Sequence, residues 1–355
     1  MKYSIAIFVK NLTSGGAEKQ AVVLARVLAP LYDIHFIVLN DKFTHQKYVN
    51  LLKQDLSIKY VAFSGNLLAR YKSFVSYLKE NHVMLVFSYL TAANFFACLA
   101  KIFCRIKVCT GLRNAQLPIA KRVIDCLLTY VGTDCAIANC YAGAVNFKKQ
   151  HFNANKIIVI PNCFEKISEY RPKKDSCIPK IIIVGRFVPQ KDYETAIQSI
   201  SLLKKKNRKF EFLLVGYGEL ESTIREWLHK YNVEDITSVC INPNNIDELL
   251  EMADVYLSTS LFEGTSNSIM EAMNANLPII ATDVGDNNHL VSNEENGFLV
   301  PVGEASIIAE KMCFLLDNCD ARNNMGRVSK EKLLKNFSTG IFLARYEQVI
   351  KNLLR

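Results

Sequence analysis

Short apolar runs of strand character alternate with helical patterns along almost the whole chain, and this alternation constrains the fold more than any other feature. Parallel strands need a crossover between them, usually a helix, so the pattern predicts an α/β fold with parallel sheets covered by helices on both faces. In the first half the predicted strands are 4–9, 34–39, 57–62, 83–87, 106–110, 135–138 and 156–160. A second series is predicted at 180–184, 210–215, 236–241, 255–258 and 278–281.

A polar segment, 165–179, separates the two series and is predicted to be a linker. It divides the 355 residues into a first domain of residues 1–165 and a second domain of residues 166–339, each long enough for its own core. We therefore expect two Rossmann-like domains facing one another across a cleft. The active site would lie in that cleft, at the carboxyl ends of both sheets.

Two glutamates eight residues apart, Glu263 and Glu271, flank a segment of one glycine and small hydroxyl or amide side chains. We expect Glu263 in a loop at the carboxyl end of a strand, with the amides of residues 264–267 opening the next helix and Glu271 about two turns into it. Amides at the start of a helix bind anions such as a diphosphate, and carboxylates suit hydroxyl groups beside it. The segment indicates a sugar-nucleotide site.

Two other predicted strand ends carry residues suited to an anionic ligand. Gly15 and Gly16 would let the backbone approach a ligand, or would form a tight turn in which Glu18 complements the helix dipole. Arg186 and Lys191 follow the first strand of the second series. They can converge on a diphosphate leaving group, Arg as a planar fork and Lys as a point charge. The alternative for this pair is a solvated loop with ordinary charges.

The sequence contains no Asp-x-Asp motif, which metal-dependent sugar transferases use to hold Mg²⁺ or Mn²⁺. We therefore expect no metal and no cofactor, with cationic side chains and backbone amides neutralising the diphosphate. The 11 cysteines show neither CxxC pairs nor Cys/His ligand spacing, and the chain opens directly on a strand pattern. Free thiols in a reducing cytoplasm are expected. The uncharged run 83–100 is long enough to span a membrane but is predicted to be a strand, a loop and a helix.

Charge is concentrated in the first half. Residues 1–165 carry 20 Lys and Arg against 8 Asp and Glu, a net charge of +12, whereas the remainder carries −3. A membrane surface, nucleic acid or an acidic substrate would each suit this surplus. No nucleic-acid-binding module accompanies it, so a membrane is favoured over a merely soluble basic surface. The segment 67–79 either lies on a membrane surface or packs as an amphipathic helix on its own sheet.

Together these motifs resemble those of the retaining glycosyltransferases of family 4, which have the two-domain GT-B fold. The resemblance rests on the Gly15-Gly16-Ala17-Glu18 turn, on Gly185-Arg186-Phe187 followed by Lys191-Asp192, and on the Glu-x7-Glu pair. Lesser matches occur at 160–162, 277–282 and 296–300, in the same order along the chain. Family members commonly run their last helix back onto the first domain, so the resemblance implies that 340–355 does so here.

The resemblance also implies a role for each motif. Arg186 and Lys191 would bind the donor's diphosphate and stabilise the departing charge, and Glu263 would contact the sugar hydroxyls. The other implied donor contacts are the amides of the segment after Glu263, the ribose carboxylate, and the glycine pair that closes the cleft from the first domain: Gly264, Thr265, Ser266, Glu271, Gly15 and Gly16.

The sequence departs from the family pattern close to the reacting carbon. Many relatives carry a His after the fourth strand of the first domain, where this chain has Phe87-Ser88-Tyr89, so no catalytic His is assigned. Asp286 and His289 stand where relatives often have other residues, and they either tune sugar choice or are surface substitutions. The stretch 111–114 resembles one in some bacterial polysaccharide transferases. There Arg113 would meet an acceptor phosphate, or would be an ordinary loop cation.

The resemblance implies transfer of a hexose or N-acetylhexosamine from a nucleotide-sugar, expected to be a UDP-sugar, to a lipid-linked glycan acceptor. The expected setting is surface polysaccharide synthesis, such as capsule or O-antigen, on the inner face of the cytoplasmic membrane, with no nucleic-acid partner. Three alternatives stay open at this point. They are a transferase with a soluble small-molecule acceptor, a nucleotide-sugar epimerase, and a non-catalytic partner subunit that kept the fold.

Overall fold

A computed structural model describes residues 2–13, 15–113, 118–173 and 178–355. Three sequence predictions therefore fall partly outside the described residues: the glycine turn at Ser14, the 111–114 stretch at Asn114, and the linker at positions 174–177.

The chain divides into two compact units. The first consists of Met1–Glu165 together with Thr339–Arg355, and the second of Lys166–Ser338. The boundary after Glu165 is where the polar segment was predicted to begin. The final segment belongs to the first unit from Thr339, one residue earlier than the predicted 340.

The first unit is built on a parallel sheet with the strand order β3-β2-β1-β4-β5-β6-β7. Its strands are β1 (Ser4–Val9), β2 (Asp33–Val38), β3 (Ile58–Ala62), β4 (Leu85–Tyr89), β5 (Lys107–Leu112), β6 (Cys135–Ala138) and β7 (Ile157–Val159). Its helices before the linker are α1 (Gly16–Leu28), α2 (Gln46–Gln54), α3 (Leu67–Glu80), α4 (Thr91–Ala100), α5 (Ile119–Val131) and α6 (Tyr141–Lys149).

The second unit has a parallel sheet with the order β10-β9-β8-β11-β12-β13. Its strands are β8 (Lys180–Arg186), β9 (Glu211–Tyr217), β10 (Thr237–Ile241), β11 (Val255–Ser258), β12 (Ile279–Thr282) and β13 (Gly297–Val300). Its helices are α7 (Tyr193–Lys204), α8 (Glu221–Lys230), α9 (Ile246–Met252), α10 (Asn267–Asn274), α11 (Asn287–Leu290), α12 (Ala305–Asp317) and α13 (Cys319–Phe337). The last helix, α14 (Thr339–Leu354), belongs to the first unit.

The predicted α/β fold with two Rossmann-like domains is confirmed. Every predicted strand is present, with ends that differ by at most two residues, but β13 was not predicted as a strand. The strands β8 and β9 continue past their predicted ends because Gly185 pairs with Gly216 and Arg186 with Tyr217. A side chain at Gly216 would collide with the Gly185 carbonyl, so a glycine lets these two strands stay paired at this point.

Alternating side chains of the first sheet build a core on each face. Ile5 and Ile7 pack in the cluster that includes α1 and α14, whereas Ala6 and Phe8 pack in the cluster that includes α3 and α4. The predicted amphipathic segment 67–79 forms α3 and packs on its own sheet, the second of its two alternatives. Its Phe74 ring stacks on Phe8, with ring centroids 4.1 Å apart.

Two further sequence predictions concern cysteines and the membrane. The ten cysteines within the described ranges are all free thiols. The run 83–100 forms β4 and α4, as predicted. None of the helices in the described ranges combines the length and the apolar character needed to cross a membrane.

Candidate active site

A cleft of about 410 Å³ opens at the carboxyl ends of the central strands of the second sheet. The strands β8 and β11 are neighbours there, although the connections from them run to opposite sides of the sheet. Ligands of open α/β sheets bind at such a reversal of strand order because the flanking loops separate and leave a crevice. The cleft brings together six residues predicted from the sequence: Arg186, Lys191, Glu263, Thr265, Ser266 and Glu271. The seventh, Gly264, is adjacent in sequence but does not line it.

A largely buried ion pair joins the two loops that form this cleft. Lys191, in a 3-10 turn after β8, donates through Nζ to Glu263 Oε1. Ser260 also donates to this carboxylate oxygen, at 2.8 Å. The side chains of Lys191 and Glu263 are only 16% and 10% exposed. Each charge is thus held by its neighbour at the wall of the cleft rather than by solvent.

Further hydrogen bonds fix the two loops against one another. Thr259 Oγ1 donates to the backbone carbonyls of Lys191 and Asp192, at 2.9 Å each. Gln190 accepts from the Leu261 amide at 2.8 Å through its backbone carbonyl, and its side-chain amide donates to the Phe262 carbonyl at 2.7 Å. The loop ends are therefore held in place before any ligand arrives, which lowers the ordering cost of binding.

The helix that follows Glu263 begins later than the sequence predicted. Its first residue is Asn267, and Ser266 is the N-cap, with its hydroxyl accepting from the Ile269 amide at 3.5 Å. The segment 264–266 therefore precedes α10 rather than opening it. Glu271 is the fifth residue of α10, just over one turn in, so the predicted position about two turns in was wrong. In this position Glu271 lines the cleft wall together with Ser266.

Residues after β12 support the glutamate loop from behind. Gly285 has a φ of +56°, and a side chain there would collide with the backbone carbonyl of Glu263. Asp286 is 1% exposed and accepts from Thr265 Oγ1 at 3.2 Å. Asp286 is therefore a buried support for the loop rather than a surface substitution, whereas His289 is exposed.

The structure adds cleft residues that sequence reasoning missed. Tyr217 ends β9, is 54% exposed, and lines the cleft with Asn242 and Ile246. An aromatic ring and an aliphatic side chain suit a flat, partly apolar group such as a nucleobase. The sequence could have indicated Tyr217 and Asn242 as cleft residues, because both follow predicted strands.

In the first unit, the glycine turn lies between β1 and α1. Gly15 is the N-cap of α1 and Gly16 its first residue, and neither has a positive φ. A side chain added at Gly16 would meet no atom within 4 Å, whereas one at Gly15 would meet the carboxylate of Glu18. Glu18 is buried and accepts from Thr13 Oγ1 at 3.0 Å, so it braces the turn. The space in front of Gly16 is open.

Arg113 follows β5 and is held by three neighbours. Its Nη1 donates to Asn162 Oδ1 at 3.0 Å, its Nη2 donates to the Tyr346 hydroxyl at 3.3 Å, and its guanidinium carbon lies 4.6 Å from the centre of the Tyr89 ring. Its buried Nε has no hydrogen-bond partner among the described residues. Arg113 is thus a cation held in a fixed orientation, rather than a solvated loop cation.

The region where many family members carry a His contains a buried polar contact instead. Ser88 is 1% exposed and donates to Asn94 at 2.8 Å. Leu90, next along the chain from Tyr89, has φ 71° and ψ 156°, a conformation in which almost only glycine is found. In the described ranges, no group of three or more His, Cys, Asp and Glu side chains is arranged to hold a metal ion.

The sequence of the second unit is similar to known glycosyltransferases. Residues 166–332 match the family described as glycosyl transferases group 1. Over 145 residues the chain is 29% identical to the N-acetyl-alpha-D-glucosaminyl L-malate synthase of Bacillus anthracis, covering 41% of this chain and 38% of that protein. Over 138 residues it is 30% identical to the amylovoran biosynthesis glycosyltransferase AmsK of Erwinia amylovora, covering 37% and 34%. The matches thus span little more than a third of these relatives.

The whole chain has a counterpart among solved structures. The crystal structure of Anabaena HepE in complex with UDP superimposes with a TM-score of 0.82, over 99% of this chain and 100% of that one, at 17% identity. The fold is GT-B. At this identity the likeness establishes the fold alone.

Proposed function

We propose that this protein is a retaining GT-B glycosyltransferase of family 4. It transfers a hexose or N-acetylhexosamine from a UDP-sugar to a lipid-linked glycan acceptor during surface polysaccharide synthesis. The observation that carries the proposal is the cleft of the second unit, where Arg186, the Lys191–Glu263 pair and the start of α10 meet at the strand-order reversal. The group 1 match covers this unit, and UDP is bound in the Anabaena HepE structure.

In this proposal each cleft residue has one role in donor binding. Arg186 and Lys191 bind the diphosphate, with the amides of 264–266 at its phosphate end. Glu263 accepts from sugar hydroxyls, and Glu271 accepts from the ribose. The base then packs against the Tyr217 side of the cleft, on the far side of Glu271 from the diphosphate.

The reaction breaks the bond between the anomeric carbon and the diphosphate and forms a bond from that carbon to the acceptor hydroxyl. The acceptor proton passes to an oxygen of the departing phosphate, and the sugar passes through an oxocarbenium-like state. The protein positions both substrates and stabilises the charge that develops on the leaving group. Arg186, Lys191 and backbone amides carry this charge, so we expect turnover without a metal or cofactor.

The acceptor side of the proposal rests on Arg113 in the first unit. A guanidinium held in place by Asn162 and Tyr346 suits a phosphate of the acceptor. Lipid-linked glycan precursors carry such a group, and the +12 charge of residues 1–165 suits an anionic membrane surface. We therefore propose that the enzyme works at the inner face of the cytoplasmic membrane.

A soluble acceptor is the second candidate. The name of the Bacillus anthracis relative indicates a malate acceptor for that protein. An oriented Arg113 would also suit a small anionic metabolite, because a carboxylate and a phosphate both accept from a guanidinium fork.

Transfer of labelled sugar from a nucleotide-sugar panel tests the proposal and separates the two acceptors. We expect label in the organic phase when membrane lipid extract is supplied, and loss of that label in the Glu263→Gln variant. Glu211→Gln, which alters an exposed carboxylate at the start of β9, is the matched control and should transfer normally. Label only in water-soluble products would favour the soluble acceptor. No transfer and no donor cleavage with any nucleotide-sugar would contradict the proposal.

A further inference from the structure

Helix α5 buries two polar side chains together with Leu128 on its inner face and carries apolar side chains on its outer face. Asp125 and Thr129 are 3% and 0% exposed. A surface helix of a globular domain ordinarily has the opposite arrangement, with apolar residues toward the core. The apolar side chains exposed on α5 are Ile119, Val123, Ile124, Leu127, Tyr130 and Val131.

Hydrogen bonds hold α5 in this orientation. Thr91 Oγ1 donates to Asp125 Oδ2 at 2.5 Å, and Asn94 Nδ2 donates to Asp125 Oδ1 at 3.0 Å. One turn further along, Thr129 Oγ1 accepts from the Asn153 amide at 3.0 Å. Rotating α5 to bury its apolar side would break these bonds. The outward apolar face is therefore built into the domain.

The apolar surface continues onto α4. Phe95 and the residues Ile102 and Phe103, just after α4, are exposed. A groove of about 350 Å³ runs between the two helices and is lined by Phe95, Leu99, Ile102 and Val131 among others. We refer to the exposed apolar side chains of α5 together with Phe95, Ile102 and Phe103 as the α4–α5 face. Contiguous apolar surface of this kind marks an interaction site.

The charge around this face is mainly positive. Residues 90–131 contain six Lys and Arg but a single acid, Asp125, which is buried. Asp134, just after this range, pairs with two of these lysines. Arg105 and Lys121 are exposed. An apolar face bordered by exposed cations matches a surface that offers both hydrocarbon and negative charge. It does not match a second copy of itself, since two such faces would bring like charges together.

We propose that the α4–α5 face docks on an anionic phospholipid bilayer. This inference rests on the proposed function, which places the acceptor on a lipid, and it names the surface that meets the membrane. Because α5 follows β5, its first turn lies at the carboxyl edge of the sheet, where Arg113 also lies.

Vesicle co-sedimentation of the full chain tests the proposal. The vesicles are phosphatidylcholine alone or phosphatidylcholine with phosphatidylglycerol, and UDP binding is measured by calorimetry on the same samples. We expect binding to the anionic vesicles that weakens with salt, and a partition coefficient about tenfold lower or more for Leu127→Glu combined with Val131→Glu. Leu56→Glu, at a residue 96% exposed before β3, is the matched control and should bind like wild type.

A second variant separates charge from apolar insertion. Arg105→Gln combined with Lys121→Gln should reduce mainly the salt-sensitive part of the binding. The docking surface is wrong if the Leu127/Val131 variant binds vesicles like wild type. It is also wrong if wild type ignores anionic vesicles, or if wild type is a dimer that this variant separates. UDP binding without vesicle binding would contradict the docking surface alone. Vesicle binding without UDP binding would contradict the proposed function alone.

Discussion

Replacing Lys191 with Met separates the structural and the functional roles of the Lys191–Glu263 pair. The substitution leaves Glu263, only 10% exposed, with Ser260 as its remaining donor among the described residues. Removing one member of a buried ion pair costs about 3–5 kcal/mol. The Ser260 bond and the residual exposure place the loss near the lower end, about 3 kcal/mol, which lowers the melting temperature of the second unit by about 6–12 °C.

The double variant Lys191→Met with Glu263→Gln removes both charges of the pair. No charge is then left unpaired, so stability should return to within about 1 kcal/mol of wild type. If Lys191 also binds the diphosphate, UDP affinity should stay at least about tenfold below wild type, since a hydrogen bond to a charged group contributes about 1.5–3 kcal/mol.

Scanning fluorimetry and calorimetric titration with UDP measure the two effects on the same samples. The matched control is Lys180→Met, which breaks the Lys180–Glu211 pair of the same unit, 2.7 Å apart with side chains 34% and 47% exposed. An exposed pair of this kind contributes less than about 1 kcal/mol, and UDP affinity should not change. A double variant that is stable and binds UDP like wild type would refute the role of Lys191 in the diphosphate site.

Three further substitutions test other parts of the account. Gly285→Ala should destabilise the second unit by about 1–3 kcal/mol and weaken UDP binding, because it combines a positive φ with a collision against Glu263; an unchanged melting curve would contradict the bracing role. Gly16→Ala should leave the melting temperature of the first unit unchanged, since the added methyl meets no atom within 4 Å, yet reduce donor turnover; normal turnover would remove Gly16 from the site. Burial raises the pKa of Asp125 above its usual value of 3.8, so the folded state holds its proton more tightly and stability falls as pH rises through the raised pKa. Asp125→Asn should therefore gain melting temperature over wild type at neutral pH and not below pH 3.8; an equal difference at both would contradict this.

The sheet architecture was predictable because strand formation here depends on local apolar runs. The ends of the strands were less so. β8 and β9 extend through Gly185 and Gly216, and glycine weakens the strand signal although a close approach of backbones requires it here. β13 was missed for a similar reason, since it begins at Gly297 and is only four residues long.

The site was predictable where a residue's position relative to a strand decides its place. Arg186 ends β8, Lys191 follows it and Glu263 follows the neighbouring β11, and parallel strands end at one edge. The ion pair between Lys191 and Glu263 was not predictable, because it joins residues 72 apart in sequence. The start of α10 was misplaced because either Gly264 or Ser266 can precede a helix, and only the geometry shows which one caps it.

The outward apolar face of α5 could not be predicted from the sequence, for a different reason. Apolar residues at helical spacing indicate a helix, but the period alone does not say which side faces the sheet. Asp125 decides the orientation through Thr91 and Asn94, which lie in another helix.

Calorimetric titration with UDP, GDP, CDP and ADP, each with and without EDTA, tests the central claim most directly. The account predicts selective binding of UDP that EDTA does not affect, and at least about tenfold weaker binding by Arg186→Ala, which loses a charge-assisted contact. Arg208→Ala, at an exposed arginine that pairs with Asp317 in the same unit, should bind UDP like wild type. Absence of binding by every nucleotide, or equal binding by Arg186→Ala, would contradict a nucleotide-sugar site in this cleft.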